Sequence, residues 1–75
     1  MTFGELIRKK RIELNLTQQY VADELDLYLA TIWSYERGGR EPKLDRAVQM
    51  CKLLGITPEE FFGLYPYNKT KGEWS

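Results

Sequence analysis

Helix-stop signals divide this chain into short pieces. Asn15, the Asp26-Leu27 pair, Gly38-Gly39 and Gly55 interrupt stretches whose apolar residues recur at helical spacing. Asn tolerates the left-handed backbone that ends helices, and Gly adopts it without strain. Asp is a good turn residue and can also cap a following helix. A chain punctuated this often cannot form one long helix, and its period is wrong for strands. The consequence is an all-α domain of five short helices with short connections.

The first helix reads from 3 to 15. Phe3, Ile7, Arg11 and Leu14 share one stripe, with Leu6 beside them, while Glu5, Arg8, Lys9 and Glu13 point away. Thr17 is the N-cap of a second helix, Gln18 to Leu25, with Val21, Ala22 and Leu25 inward. A third runs from Tyr28 to Arg37. Its helical advance sets Tyr28, Ile32 and Tyr35 on one side and Leu29, Ala30, Trp33, Ser34 and Arg37 on the other. Pro42 opens a loop to a fourth helix from Lys43 or Leu44 to Leu54, with an inward stripe of Leu44, Ala47, Val48, Cys51 and Leu54. Thr57-Pro58-Glu59-Glu60 carries a capping box and starts a fifth helix with Phe61, Phe62 and Leu64. Residues 65–75 show no period and read as a loose tail after a domain at 1–64. Phe61, Phe62, Leu64, Tyr65, Tyr67 and Trp74 form a late aromatic cluster, part of it closing the core and part available to a dimer interface or a docking contact.

Composition narrows the chemistry. The chain has 75 residues, room for one small domain. It contains one cysteine and no histidine, which rules out an internal disulfide, a His-based triad and the usual zinc sites. Neither a signal peptide nor a spanning apolar run is present, so the expected setting is a reducing cytoplasm. Cys51 reads as a buried structural thiol, and Glu59-Glu60 as first-turn carboxylates favoured by the helix dipole rather than as an acid/base pair. No enzyme activity, cofactor or metal is expected.

The second and third helices, joined by a very short turn, read TQQYVADELDLYLATIWSYERG over residues 17–38. This segment resembles the helix-turn-helix of the Cro/repressor-type (XRE) family. The resemblance rests on Thr17-Gln18, Val21-Ala22, Leu25, Ile32 and Tyr35-Glu36-Arg37-Gly38. It extends through Arg11, Pro42, Leu54-Gly55-Ile56-Thr57 and Phe61-Phe62, covering roughly residues 3 to 63. It implies a compact lambda repressor-like fold and duplex DNA binding by a small transcriptional regulator, most simply a repressor. The third helix would lie in the major groove and the second would cross the backbone above it. A homodimer on a palindromic operator follows from the same resemblance, with recognition helices ~34 Å apart. The resemblance also implies a pair between Arg11 and Glu36. Physics agrees, because a charge on the apolar stripe of helix one needs a carboxylate partner.

The candidate DNA contacts are Gln18, Tyr28, Leu29, Ala30, Trp33, Ser34, Arg37, Arg40 and Lys43. Gln18, at a helix N-terminus, can meet a phosphate. Arg8, Lys9 and Lys10 read as a solvated face, from which Lys10 could approach a phosphate. Arg37, Arg40, Lys43 and Arg46, with Glu41 and Asp45 interspersed, make a basic cluster that can grip the flanking backbone. This cluster partly answers the zero net charge (11 basic and 11 acidic residues), which by itself argues against a nucleic-acid binder. The base-reading positions depart from the family, which usually carries Gln, Arg, Ser or Asn where this chain has Leu29, Ala30, Trp33 and Ser34. Tyr28 stands where a capping Ser or Thr is common, which would pass the cap to Asp26. Two readings of the apolar face stand side by side. Thymine methyl groups would be read by apolar contact, favouring A·T-rich sites. Alternatively, Leu29 and Trp33 form a protein-interaction patch on the same fold. The plain alternative to both is that Trp33 folds back and packs on its own domain.

Overall fold

The computed structural model describes residues 1–64. Five helices follow in order: α1 (Phe3–Glu13), α2 (Gln18–Leu25), α3 (Leu29–Arg37), α4 (Leu44–Leu54) and α5 (Pro58–Leu64). Helices α1 and α2 each pack against both α3 and α4. The tail at 65–75, with Tyr65, Tyr67 and Trp74, lies outside the described residues. No helix among the described residues is long and apolar enough to cross a membrane.

The stops all work the same way. Asn15, Asp26, Gly38 and Gly55 take left-handed backbone, with φ of 59°, 56°, 82° and 70°. The next residue then donates its N–H back over the last turn: Leu16 to Arg11, Leu27 to Ala22, Gly39 to Ser34 and Ile56 to Cys51, at 2.8 to 3.0 Å. This bond satisfies a carbonyl that a helix end otherwise leaves orphaned. Three of the four donors are apolar. Leu16, Leu27 and Ile56 turn straight into or against the core. Each connection therefore ends one helix and adds a side chain to the interior in a single step.

The starts rely on threonine. Thr2 accepts from the Glu5 N–H at 3.1 Å while Glu5 accepts from the Thr2 N–H at 2.7 Å, a reciprocal box absent from the sequence-based reading. Thr17 accepts from the Tyr20 N–H, as expected. Thr57 and Glu60 make the expected box for α5.

The core is drawn from every helix. Phe3, Ile7, Val21, Ile32 and Met50 are fully buried, with Leu54 nearly so. Phe61 of α5 meets Phe3 edge to face, with ring centroids 5.6 Å apart. Several expected inward residues are instead outward. Leu14 lies past the end of α1 and is 50% exposed, and Leu44 and Val48 are exposed on α4. The buried face of α4 is Ala47, Met50 and Leu54, with Cys51 half-buried at its margin. The buried face shares Ala47 and Leu54 with the expected stripe but is rotated about a sixth of a turn from it, toward Met50 and away from Leu44 and Val48. Asp26 does not cap α3. Its own backbone is the left-handed stop of α2, and α3 begins after Tyr28 with no side-chain cap.

Gly4 marks the closest approach of α1 to α3. A Cβ there would run into the main-chain carbonyl oxygen of Tyr35, which cannot swing aside as a side chain would. Gly4→Ala is therefore expected to destabilise the domain by about 2–3 kcal/mol, the upper part of the overpacking range. Gly63→Ala, where a Cβ meets open space, should be neutral or slightly stabilising. Urea unfolding of the two variants checks the contrast.

Both capping-box carboxylates titrate below the ordinary range. The Thr2 backbone N–H holds Glu5 down, and the Thr57 backbone N–H, followed by Lys10, holds Glu60 down. A carboxylate whose pKa falls on folding adds stability above its unfolded pKa and loses it as pH drops through the folded value. The double variant Glu5→Gln/Glu60→Gln should accordingly lose less stability than the parent between neutral pH and about pH 3, read by circular-dichroism melts.

Candidate nucleic-acid interface

The interface is built on a buried ionic junction. Arg11 donates from Nε to Glu36 Oε2 at 2.7 Å and from Nη2 to Glu36 Oε1 at 3.1 Å, a bidentate pair. Its Nη1 donates to the Leu16 carbonyl at 2.9 Å. Gln18 Nε2 donates to Glu36 Oε1 at 3.1 Å. One carboxylate, its side chain only 2% exposed, thus ties together α1, the start of α2 and the last turn of α3. The Arg11–Glu36 pair expected from the resemblance is present. A single missing partner would leave a charge stranded in apolar surroundings. Arg11→Ala should cost about 3–5 kcal/mol, and it should also lower the helical signal of α3, which loses its anchor. Thermal melts of Arg11→Ala beside Arg8→Ala, an exposed and unbridged control, check this.

The junction fixes how α3 is presented. Ile32, Tyr35 and Glu36 are buried, so the opposite face is turned outward. Leu29 (43%) and Trp33 (48%) are both strongly exposed, Ala30 and Arg37 are exposed, and Ser34 is half-buried. Tyr28, 83% exposed, stands at the entrance to the helix rather than on its buried side, where the sequence pattern had set it with Ile32 and Tyr35. Helix α2 lies against α3 across the turn Asp26-Leu27-Tyr28, with Leu27 packed inward as the pin.

The basic residues divide into two groups. Arg11, Lys10 and Arg46 are committed to the scaffold. Lys10 bridges to Glu60 at 3.1 Å, tying α1 to α5. Arg46 Nη1 donates to the Leu25 carbonyl at 2.8 Å and to Gln49 Oε1 at 3.0 Å, closing the end of α2 from α4. Arg46 and Lys10 are therefore not the free phosphate grips that their sequence context suggested. Arg37, Arg40 and Lys43 engage no ion pair among the described residues. Arg40 and Lys43 border an open depression beside α3, together with Tyr28, Thr31, Arg46 and the acids Glu41 and Asp45. Gln18 is half-buried with its amide nitrogen on Glu36, which leaves the main-chain N–H groups of the first turn of α2 as the outward donors there.

Trp33 neither packs back on the core nor stands bare. The Arg37 guanidinium carbon lies 4.1 Å from the centre of its ring. The sequence pattern puts Trp33 and Arg37 on one face, but no stack between them was expected from it; their i, i+4 spacing is the signal that points to it. A cation over one face of the indole brings positive charge to this patch, which suits a polyanion. Cys51 lies away from α3. Burial, then the Glu60 charge, push its thiol up, so it stays protonated and packs.

A helix pair joined by a short turn, with one member pinned from below and its outer face flanked by cations, is the arrangement of a helix-turn-helix protein. The chain belongs to the helix-turn-helix family of XRE (Cro/repressor) type, DNA-binding transcription regulators, whose family model matches residues 7–61. Among its relatives is the control protein C.BamHI of Bacillus amyloliquefaciens, 34% identical over 61 residues covering 80% of this chain and 75% of the relative. The cryptic phage CTXphi transcriptional repressor RstR of Vibrio cholerae is 33% identical over 72% of this chain and 49% of its own length. The uncharacterized HTH-type transcriptional regulator YqaE of Bacillus subtilis (strain 168) is 33% identical over 73% of this chain and 47% of its own. This chain therefore spans about half the length of the latter two. No solved structure gives a significant match. The kinship favours DNA over a protein as the partner of the α3 face.

Proposed function

We propose that this protein acts as a transcriptional repressor in the cytoplasm, occupying an operator with α3 in the major groove. The observation that carries this reading is the division of the cations. Arg11, Lys10 and Arg46 are consumed by the scaffold, while Arg37, Arg40 and Lys43, beside the outward face of α3, form no ion pair among the described residues. Zero net charge is thus compatible with a local positive field where the duplex would lie.

In this reading Arg40, Lys43 and the first-turn amides of α2 at Gln18 hold phosphates and set the register. Leu29, Ala30, Trp33 and Ser34 meet base edges, with Tyr28 at the groove wall. Leu29, Ala30 and Trp33 suit thymine methyl groups, which favours A·T-rich sites, and Ser34 supplies a hydroxyl. A domain this small covers little DNA, so two copies on a palindrome supply the affinity. The surface suited to the second copy is the apolar groove of α4 and α5, lined by Val48, Cys51, Ile56, Pro58 and Phe62, with Phe62 73% exposed. It lies on elements other than α3, so pairing there leaves both recognition helices free.

Selection of duplexes from a random pool, followed by salt titration of the winner, tests the reading. A palindrome with half-sites about one helical turn apart is expected. The plot of log affinity against log salt should be steep, and Arg40→Ala and Lys43→Ala should each flatten it by about one unit without changing the preferred sequence. Absence of any enriched sequence, or a flat salt dependence, would sink the proposal.

A further inference from the structure

Leu29, Trp33 and Arg37 follow one another at intervals of four and form a single stripe along the outer face of α3. The stripe runs about 12 Å, the rise of roughly three or four base steps at about 3.4 Å each. It changes character along its length, from aliphatic to aromatic to cationic. Helical side chains lean toward the N-terminus. Arg37 therefore reaches back from the last turn, and its guanidinium lies on the Trp33 ring rather than over the C-terminal carbonyls.

That stack does two things. It holds the guanidinium in one plane, where a free arginine would sample many rotamers, so less order has to be imposed on binding. It also leaves the donor edge of the fork without a carboxylate partner among the described residues. A planar fork fixed in this way is matched by the O6 and N7 acceptors of guanine. The ring and Leu29 beside it offer only apolar surface and one N–H donor. The major-groove group that complements apolar surface is the methyl on C5 of a pyrimidine.

We propose that Trp33 and Arg37 form one recognition element that reads a guanine together with the C5-methyl group of the pyrimidine beside it. This rests on α3 entering the major groove. The methyl can come from thymine or from 5-methylcytosine, because both carry it at the same place. Trp33 is here a positioning residue for Arg37 as well as a contact for the methyl. The consequence is a regulator whose grip depends on a single methyl group at a defined step, and which responds to cytosine methylation there.

The test uses the full 75-residue chain and the tightest duplex recovered from a random pool, with binding read by fluorescence anisotropy. Footprinting of wild type against Arg37→Ala locates the guanine. At the neighbouring pyrimidine, replacing thymine by uracil removes the methyl alone and should weaken binding about fourfold, the worth of one buried methyl. Replacing the guanine by 7-deazaguanine should weaken it about ten- to a hundredfold. In Trp33→Ala both penalties should shrink, and Trp33→Phe, which keeps a ring face, should restore the guanine penalty where Trp33→Leu does not. A 5-methylcytosine that binds better than cytosine at that step would assign the methyl to either source, and one that binds no better, with uracil still weakened, would assign it to thymine alone. Tight operator binding that ignores uracil, with Trp33 and Arg37 effects that simply add, would overturn the recognition element and leave DNA binding standing. Failure to recover any operator would overturn both. Circular-dichroism melts matching the parent establish that the variants, all at exposed positions, remain folded.

Discussion

The bidentate contact between Arg11 and Glu36 is the constraint on which the rest of the molecule depends. It joins the last turn of α1 to the last turn of α3, and through the Leu16 carbonyl and Gln18 it also fixes the entry to α2. A hydrophobic core alone would let short helices rotate and slide, since apolar contacts are not directional. The junction has direction. Its fork and carboxylate meet in one geometry, and that geometry sets the roll of α3 about its own axis. Which residues of α3 face inward and which outward follows from it.

Much of this was legible in the sequence. The helix order, the left-handed stop at Asn15, the glycine stops and the Thr17 and Thr57 caps were readable because each depends on residues close together, while the Arg11–Glu36 pair was implied by the family resemblance and agreed with a charge on an apolar stripe. The failures share a cause as well. Asp26 can either cap a helix or end one in left-handed backbone, and only the packing of Leu27 decides between them. Leu44 and Val48 look inward by pattern. Met50 displaces them because a long flexible side chain fills the space below α2 better. Gly4 went unread because a close approach between α1 and α3 leaves no mark in local spacing, whereas the Thr2-x-x-Glu5 box carried a local signature that was passed over. At the interface, Arg46 and Lys10 looked like every other surface cation. Their partners, the Leu25 carbonyl and Glu60, are distant in the chain.

Charge placement resolves the apparent conflict between a neutral chain and a nucleic-acid partner. Carboxylates sit where they serve the fold: Glu5 and Glu60 at helix starts, Glu36 in the junction. Lys10 and Arg11 are thereby cancelled locally by Glu60 and Glu36, while Arg37, Arg40 and Lys43 lie next to α3 with Glu41 and Asp45 among them. Net charge is an average over the surface, while a duplex meets only one side of it.

The two faces of α3 carry separable information. Ile32, Tyr35 and Glu36 belong to the interior and cannot change without disturbing α1 and α2. Leu29, Ala30, Trp33 and Arg37 contribute nothing to the core. Substitutions on the outer face are therefore nearly free of stability cost, and a chain of this kind can drift from one binding preference to another while its architecture stays intact. That separation lets a fold with little stability to spare diversify, because new specificity is not acquired at the expense of folding.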